Sequence, residues 1–211
     1  MSLRKIALGF ALAGIVGATS AVAENEGSFV GGQIASSTID TSYKINGPLA
    51  TGQRFTFAGS GDKSGTRFGV VYGKYFSIDE DMGFRTYGLG DLGDSLYNIN
   101  ANADFLYTFV KFEKVEIRGF VGAYVGAVLA TFDQTANFGE DEKDFFWGID
   151  AGLNIGARFV IAERHGIDLF YRYGFLEPES TTKRASVYGA DIENTWKIKQ
   201  SSTGLRYTFS F

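Results

Sequence analysis

Side chains suited to acid–base or metal chemistry are scarce, with one histidine and no cysteine in 211 residues. His165 stands between Arg164 and Gly166 with no serine or carboxylate constellation that can be assigned to it, so catalysis through a histidine base is not expected. The missing thiols remove disulfides, thiol catalysis and cysteine-held zinc. The chain therefore reads as a non-enzyme without a cofactor. Twenty Lys and Arg against 24 Asp and Glu leave a formal charge of −4, with no cationic surplus to neutralise a nucleic-acid backbone. The chemistry that remains is ionic. Arg85, Asp104, Glu116, Arg118, Asp150, Arg158, Asp168, Arg172 and Arg206 all fall inside segments where apolar residues recur at every second position.

Those segments must be strands. From Phe145 to Val160 every odd residue is apolar (Phe145, Trp147, Ile149, Ala151, Leu153, Ile155, Ala157, Phe159), and most even ones are polar or glycine. A membrane helix is the rival, because Gly148, Gly152 and Gly156 form a GxxxGxxxG series. Asp150 and Arg158 would each cost about 2.5–3.5 kcal/mol at a helix centre, whereas each Leu, Ile or Phe returns only about 0.3–0.6. The strand wins. Tyr97–Phe109, Val115–Phe132, Ile167–Leu176 and the chain end through Phe211 alternate in the same way, and Ser28–Thr38, Arg67–Phe76 and Gly83–Leu89 do so less cleanly. Lys74 fits poorly on an apolar face.

Eight strands result. Short connections at 77–82, 111–114 and 163–166 alternate with longer ones at 39–66, 90–96, 133–144 and 177–194. This is the rhythm of an all-β, eight-stranded antiparallel up-and-down transmembrane barrel, with short periplasmic turns and longer extracellular loops. A ten-strand alternative would use 53–58 and 185–192 and would move the short turns to the outer surface. Abundant glycine (28) and Phe and Tyr (20 and 11) beside two prolines suit close-packed strands with interfacial rings.

Residues 1–23 read as a cleaved signal peptide: Arg4 and Lys5, an uncharged run from Ile6 to Val16, then Ala21-Val22-Ala23 before Glu24. The barrel domain is then 24–211, and losing Arg4 and Lys5 but no acid takes the charge from −4 to −6.

Alternation alone leaves open which face is inside, since a soluble secreted barrel would bury the same apolar stripe. The polar face decides. Its cations in the stronger strands are arginines interspersed with carboxylates, Asn and Gly, which suits a packed interior of two-point ion pairs rather than a wet surface. Apolar residues should therefore face lipid, with Trp147, Tyr107, Phe109, Phe145, Phe209 and Phe211 in interfacial girdles.

The signal peptide, the eight alternating segments and the closing Gly204-Leu205-Arg206-Tyr207-Thr208-Phe209-Ser210-Phe211 resemble the small Gram-negative outer-membrane β-barrel superfamily, which includes the OmpA membrane domain and opacity-type porin-family proteins. The resemblance implies location in the cell outer membrane after export, contact with outer-membrane lipid, and assembly by the barrel-assembly machinery with periplasmic chaperones. It also implies that Gly204, Tyr207, Phe209 and Phe211 form the C-terminal assembly signal. Trp196 and Ile198 run in the opposite phase to Leu205 and Tyr207, so either a bulge near Ser201 or a strand extension above the membrane is expected.

Eight strands leave a lumen that side chains can fill, so a structural or surface-interaction role, adhesin-like or opacity-like, is expected ahead of a narrow porin passing ions or small solutes. Two loop features could meet an extracellular ligand. One is the acidic run Glu140, Asp141, Glu142 and Asp144 beside Lys143, suited to divalent cations or basic partners. The other is Arg54-Phe55-Thr56-Phe57 before Gly59-Ser60-Gly61-Asp62, read as a hairpin that projects the sheet beyond the bilayer.

Overall fold

The computed structural model describes residues 27–48, 51, 53–93, 96–133, 143–185 and 191–211; the expected signal peptide and the acidic run at 140–142 lie outside them, and of Lys143 and Asp144 only the backbone is described. Among the described residues nine strands form: β1 (Ser28–Pro48), β2 (Arg54–Ser77), β3 (Met82–Gly93), β4 (Leu96–Lys111), β5 (Val115–Asp133), β6 (Lys143–Ile161), β7 (His165–Gly174), β8 (Glu179–Ala185) and β9 (Asp191–Ser210). Successive strands pair antiparallel, and β1 pairs with β9 to close the wall. β7 and β8 share one position in that wall. The lower half of β9 pairs with β7 and its upper half with β8, so the ring has eight strands.

The register fixes the tilt. Followed across its neighbours, Ser28 lies opposite Lys74, then Thr86, Ala103, Ala123, Leu153, Tyr173 and Ser201, and the path returns to β1 at Thr38, ten residues higher. A ten-residue stagger at about 3.3 Å per residue, around strands about 4.8 Å apart, inclines them by about 40° and gives a backbone diameter of about 16 Å. Arginine and tyrosine side chains from opposite walls meet across that width.

Alternation sorts the side chains as the phase of the sequence requires. Ile99, Val121, Val125, Ile149, Leu153, Ile155, Leu169, Leu205 and their neighbours lie exposed on the outside, while Arg85, Asp104, Asp150, Arg158, Asp168, Arg172 and Arg206 are buried. A molecule that exposes its Leu and Ile and buries its Arg and Asp has lipid around it, because in water the same arrangement would leave a large apolar surface exposed. Lys74 does face outward, four residues inside the turn after β2, from where its stem can carry the ammonium to the lower interface.

The short turns are built at the end of the barrel where β1 begins and β9 ends. Asp79 accepts the N–H groups of Asp81 and Met82, which closes the β2–β3 turn. Ala162 and Glu163 hold positive φ (50° and 61°) in the β6–β7 turn, the hand that continues strand twist through a tight hairpin. A register shift between Thr108 and Val110 bulges β4 and swings Phe109 outward over Gly119.

The upper end differs from the expected loops. Residues 39–48 and 54–66 are no open loop: β1 and β2 stay paired without a break from Ser28↔Lys74 to Pro48↔Arg54. Gly59–Asp62 therefore sits within a strand opposite 40–43 instead of turning a hairpin, and the β1–β2 ladder runs on to Pro48↔Arg54. The stretch 177–194 likewise holds β8 and the start of β9. Residues 54–58 lengthen β2, and the described residues of 185–192 end β8 at Ala185 and begin β9 at Asp191, so none of these adds a strand to the ring. No bulge is needed near Ser201, because β9 pairs with β1 continuously from Ser210 to Glu193. Trp196 and Ile198 change phase because the strand has left the lipid: above that level the apolar side turns inward.

Candidate functional site

The lumen is filled by stacked side chains. At the floor, Phe29, Tyr75, Leu106 and Phe120 pack around the first of two charge clusters. Its centre is Asp168, which takes Arg85 Nη1 at 2.6 Å and Arg158 Nη1 at 2.7 Å, with Arg206 Nη1 at 3.5 Å. Arg85 Nε also donates to Asp104 at 2.9 Å, Arg158 Nη2 to Thr208 at 2.9 Å, and Arg206 to Gln33 Oε1 at 3.1 and 3.2 Å. Aromatic faces cover the cations: Phe120 lies 4.4 Å from the Arg85 guanidinium, and Tyr87 and Phe170 lie 4.7 and 4.9 Å from that of Arg206. Gly166 makes room, since a Cβ there would fall 2.0 Å from Arg158 Nη2.

An amide layer follows. Asn154 donates to Asp104 Oδ1 and Asn102 Oδ1, both at 3.1 Å, and Arg172 reaches Asn102 at 2.9 Å and Asn154 at 3.1 Å. The second charge cluster lies above it. Arg67 bonds Asp91 and donates to Gln200 Oε1 at 2.7 Å, and Gln200 Nε2 donates in turn to Asp150 at 2.6 Å. Tyr124 donates to the same carboxylate at 3.0 Å, and its ring lies 4.4 Å from the Arg172 guanidinium. Ile39, Leu96, Val128, Ala130, Phe146 and Ile198 then close the column, with Trp196 packed against them.

Seven of the nine charged residues singled out in the sequence meet in this column. Glu116 and Arg118 pair with each other at the lower rim, partly exposed, rather than joining it. Arg67, Asp91, Gln33 and Gln200 were missed. Arg67 opens a segment whose facing was unclear, and Asp91 falls in what reads as a loop, although continuing the alternation Arg85, Tyr87, Leu89 by one step would have placed it inside. His165 Nδ1 lies 2.7 Å from the Tyr207 hydroxyl at the end where β1 begins and β9 ends. Gly204, Tyr207 and Phe209 belong to β9 and pair with β1 at Ala35, Gly32 and Val30, while the Phe211 N–H donates to Ser28 at 3.0 Å.

Above the column the wall is uneven. β2 pairs with β3 only from Phe68 to Ser77, whereas β1, β9 and the upper half of β2 continue upward as one sheet with β8. On the side of this sheet facing the mouth, Tyr43 lies 5.3 Å from Trp196 and 5.9 Å from Phe57, and Tyr43 covers Gly59, where a Cβ would fall 2.5 Å from its hydroxyl. Phe57 remains 56% exposed. The opposite side carries Lys197 paired with Glu179 at 3.0 Å and Lys199 with Glu177 at 3.8 Å.

A tilted eight-stranded ring with an apolar exterior and a buried ionic core defines a transmembrane β-barrel. Among solved structures, the chain is similar to the outer membrane protein OprG from Pseudomonas aeruginosa, at 12% identity over 89% of this chain and 98% of that one, with a TM-score of 0.48. It is also similar to Neisserial surface protein A, at 13% identity over 84% and 97% with a TM-score of 0.42, and to the attachment invasion locus protein Ail of Yersinia pestis, at 16% over 84% and 99% with a TM-score of 0.35. No protein-family model matches the chain, and no curated protein matches it.

Proposed function

We propose that this protein is an integral outer-membrane barrel that works through its raised extracellular sheet, as a surface-interaction protein, and that its lumen serves as a structural plug. The observation carrying this reading is the contrast between the two halves of the molecule. Below, the lumen is occupied by two ionic clusters under an apolar cap; above, a four-strand sheet with exposed aromatic and hydroxyl side chains stands clear of the wall. The reading includes cleavage of Met1–Ala23, assembly through the barrel-insertion machinery using Gly204, Tyr207, Phe209 and Phe211, and no catalytic step. A narrow porin draws support from buried polar atoms in the upper cluster without a protein partner, Asn100 Oδ1 and Nδ2 and Asp150 Oδ1. The apolar cap above them counts against it.

The test is adhesion of cells displaying the protein to immobilised host or matrix proteins, run beside planar-bilayer recordings of the purified barrel. The proposal expects adhesion and a silent bilayer; reproducible discrete conductance without adhesion would select the porin. Deleting Phe211 should lower the amount of barrel at the surface, and unchanged levels would remove the assembly signal from the reading.

A further inference from the structure

The apolar band around this barrel is not of even height. With strands inclined by about 40°, each residue climbs about 2.5 Å along the barrel axis, and each step along the register from one strand to the next, going from β1 through β2 towards β9, climbs about 3 Å. Measured from Ser28 in this way, Phe84, Tyr107, Phe159 and Phe209 stand within about 3 Å of one level, so the lower edge of the band is square to the axis. The upper edge steps instead. On β5 and β6 the outward residues stay apolar through Ala127, Ile149 and Trp147, the last about 30 Å above Ser28. On β9, β1 and β2 the apolar residues stop at the register partners Leu205, Ile34 and Phe68, only about 12–18 Å up. The next two register rows carry hydroxyls alone, Thr203–Ser36–Thr66 and Ser201–Thr38–Ser64, and the row above them is Lys199–Asp40–Asp62. Asp40 thus stands level with Trp147. Tilting the whole barrel would slope both edges together, so tilt does not explain the step.

We propose that the upper leaflet is thinned along this wall, so that lipid headgroups and their water descend by about 10 Å beside β9, β1 and β2 and solvate the six hydroxyls. Among the described residues none of the six has a hydrogen-bond partner within the chain, and a bilayer of uniform thickness would leave them unpaired in hydrocarbon. Shape selects the occupant. The three strands fill three of the eight wall positions, so their outward directions fan through about 90°. A second barrel is convex too, and would touch one of these strands while leaving the hydroxyls of the others unsatisfied. A headgroup layer wraps the whole arc, and it is continuous with the charged row Lys199–Asp40–Asp62, which belongs among headgroups in any bilayer. β1, β2 and β9 also carry the raised sheet, so the membrane surface dips directly beneath it. This contact with lipid is independent of the partner that the sheet takes.

The experiment places one nitroxide label at a time on a chain that has no cysteine of its own. Ser36→Cys, Thr203→Cys and Ala127→Cys barrels are labelled and refolded into vesicles of palmitoyl-oleoyl-phosphatidylcholine, and collisions with oxygen and with nickel ethylenediaminediacetate are read by power saturation. Ala127 stands about 3 Å above Ser36 and about 6 Å above Thr203 along the axis, so a flat leaflet would leave its label the most accessible to nickel. Thinning reverses that order: nickel collision at Ser36 and Thr203 should exceed that at Ala127 by about threefold or more, with oxygen highest at Ala127. Equal or uninverted nickel accessibility would overturn the proposal. Labels at Ser36 and Thr203 shielded from both reagents would overturn it too, since a protein partner would then be seated on the wall. Should the labelled barrels fail to fold, the double variant Ser36→Leu with Thr203→Leu gives a label-free reading. It heightens the apolar band, so in thick vesicles of dieicosenoyl-phosphatidylcholine its folded fraction, scored by heat-modifiable mobility, should be about twofold or more above that of the wild type. An equal folded fraction there would count decisively against the thinned leaflet.

Discussion

Asp168 is the residue on which the lower lumen turns, because three guanidinium groups converge on its two oxygens while it is fully buried. Removing one partner from such a cluster leaves charge uncompensated in a dry interior, at a cost of about 3–5 kcal/mol. Asp168→Asn and Arg158→Ala should both lower the temperature at which the folded band disappears in a heat-modifiability gel. Arg54→Ala, on an exposed residue, should leave that temperature unchanged; equal loss across the three would contradict the ionic plug. Ala162 pays a smaller strain for its positive φ, so Ala162→Gly should stabilise the barrel slightly, by at most about 1 kcal/mol, read as a higher unfolding midpoint in urea.

Among the elements, the raised sheet and the barrel wall can be separated. Asp40 and Asp62 are register partners, so replacing 41–61 by a short turn cuts the hairpin at one rung and keeps the facing of every residue below. The shortened protein should keep heat-modifiable mobility and lose adhesion. The strands themselves were legible from alternation, but their upper ends were not. Residues 39–48 and 54–66 mix Gly, Ser, Thr and Asp, whose propensities favour turns, and their pairing in the β1–β2 ladder holds them extended. Asp91 was lost for the same reason: Gly90 and Gly93 on either side of it read as a loop, whereas here they continue a strand.

For the molecule as a whole, the decisive quantity is which face meets lipid. Leu153→Arg places a cation in the apolar belt opposite Ala123 and Tyr173 and should cost about 2–4 kcal/mol, seen as reduced refolding into vesicles. Glu116→Gln, at the lower rim, should refold normally.

The sequence by itself determined the period, the number of strands in the ring and the contrast between a greasy face and an arginine-bearing one, because a strand's side chains alternate whatever surrounds them. It also placed Arg85, Asp104, Asp150, Arg158, Asp168, Arg172 and Arg206 on one face. Only the tertiary structure decided which of them touch, since the contacts depend on a ten-residue stagger accumulated around the ring. The same stagger sets Arg67 beside Asp91 and Gln200, and leaves β2 standing above β3. No short stretch of sequence encodes that offset; it exists only when all eight positions of the wall close.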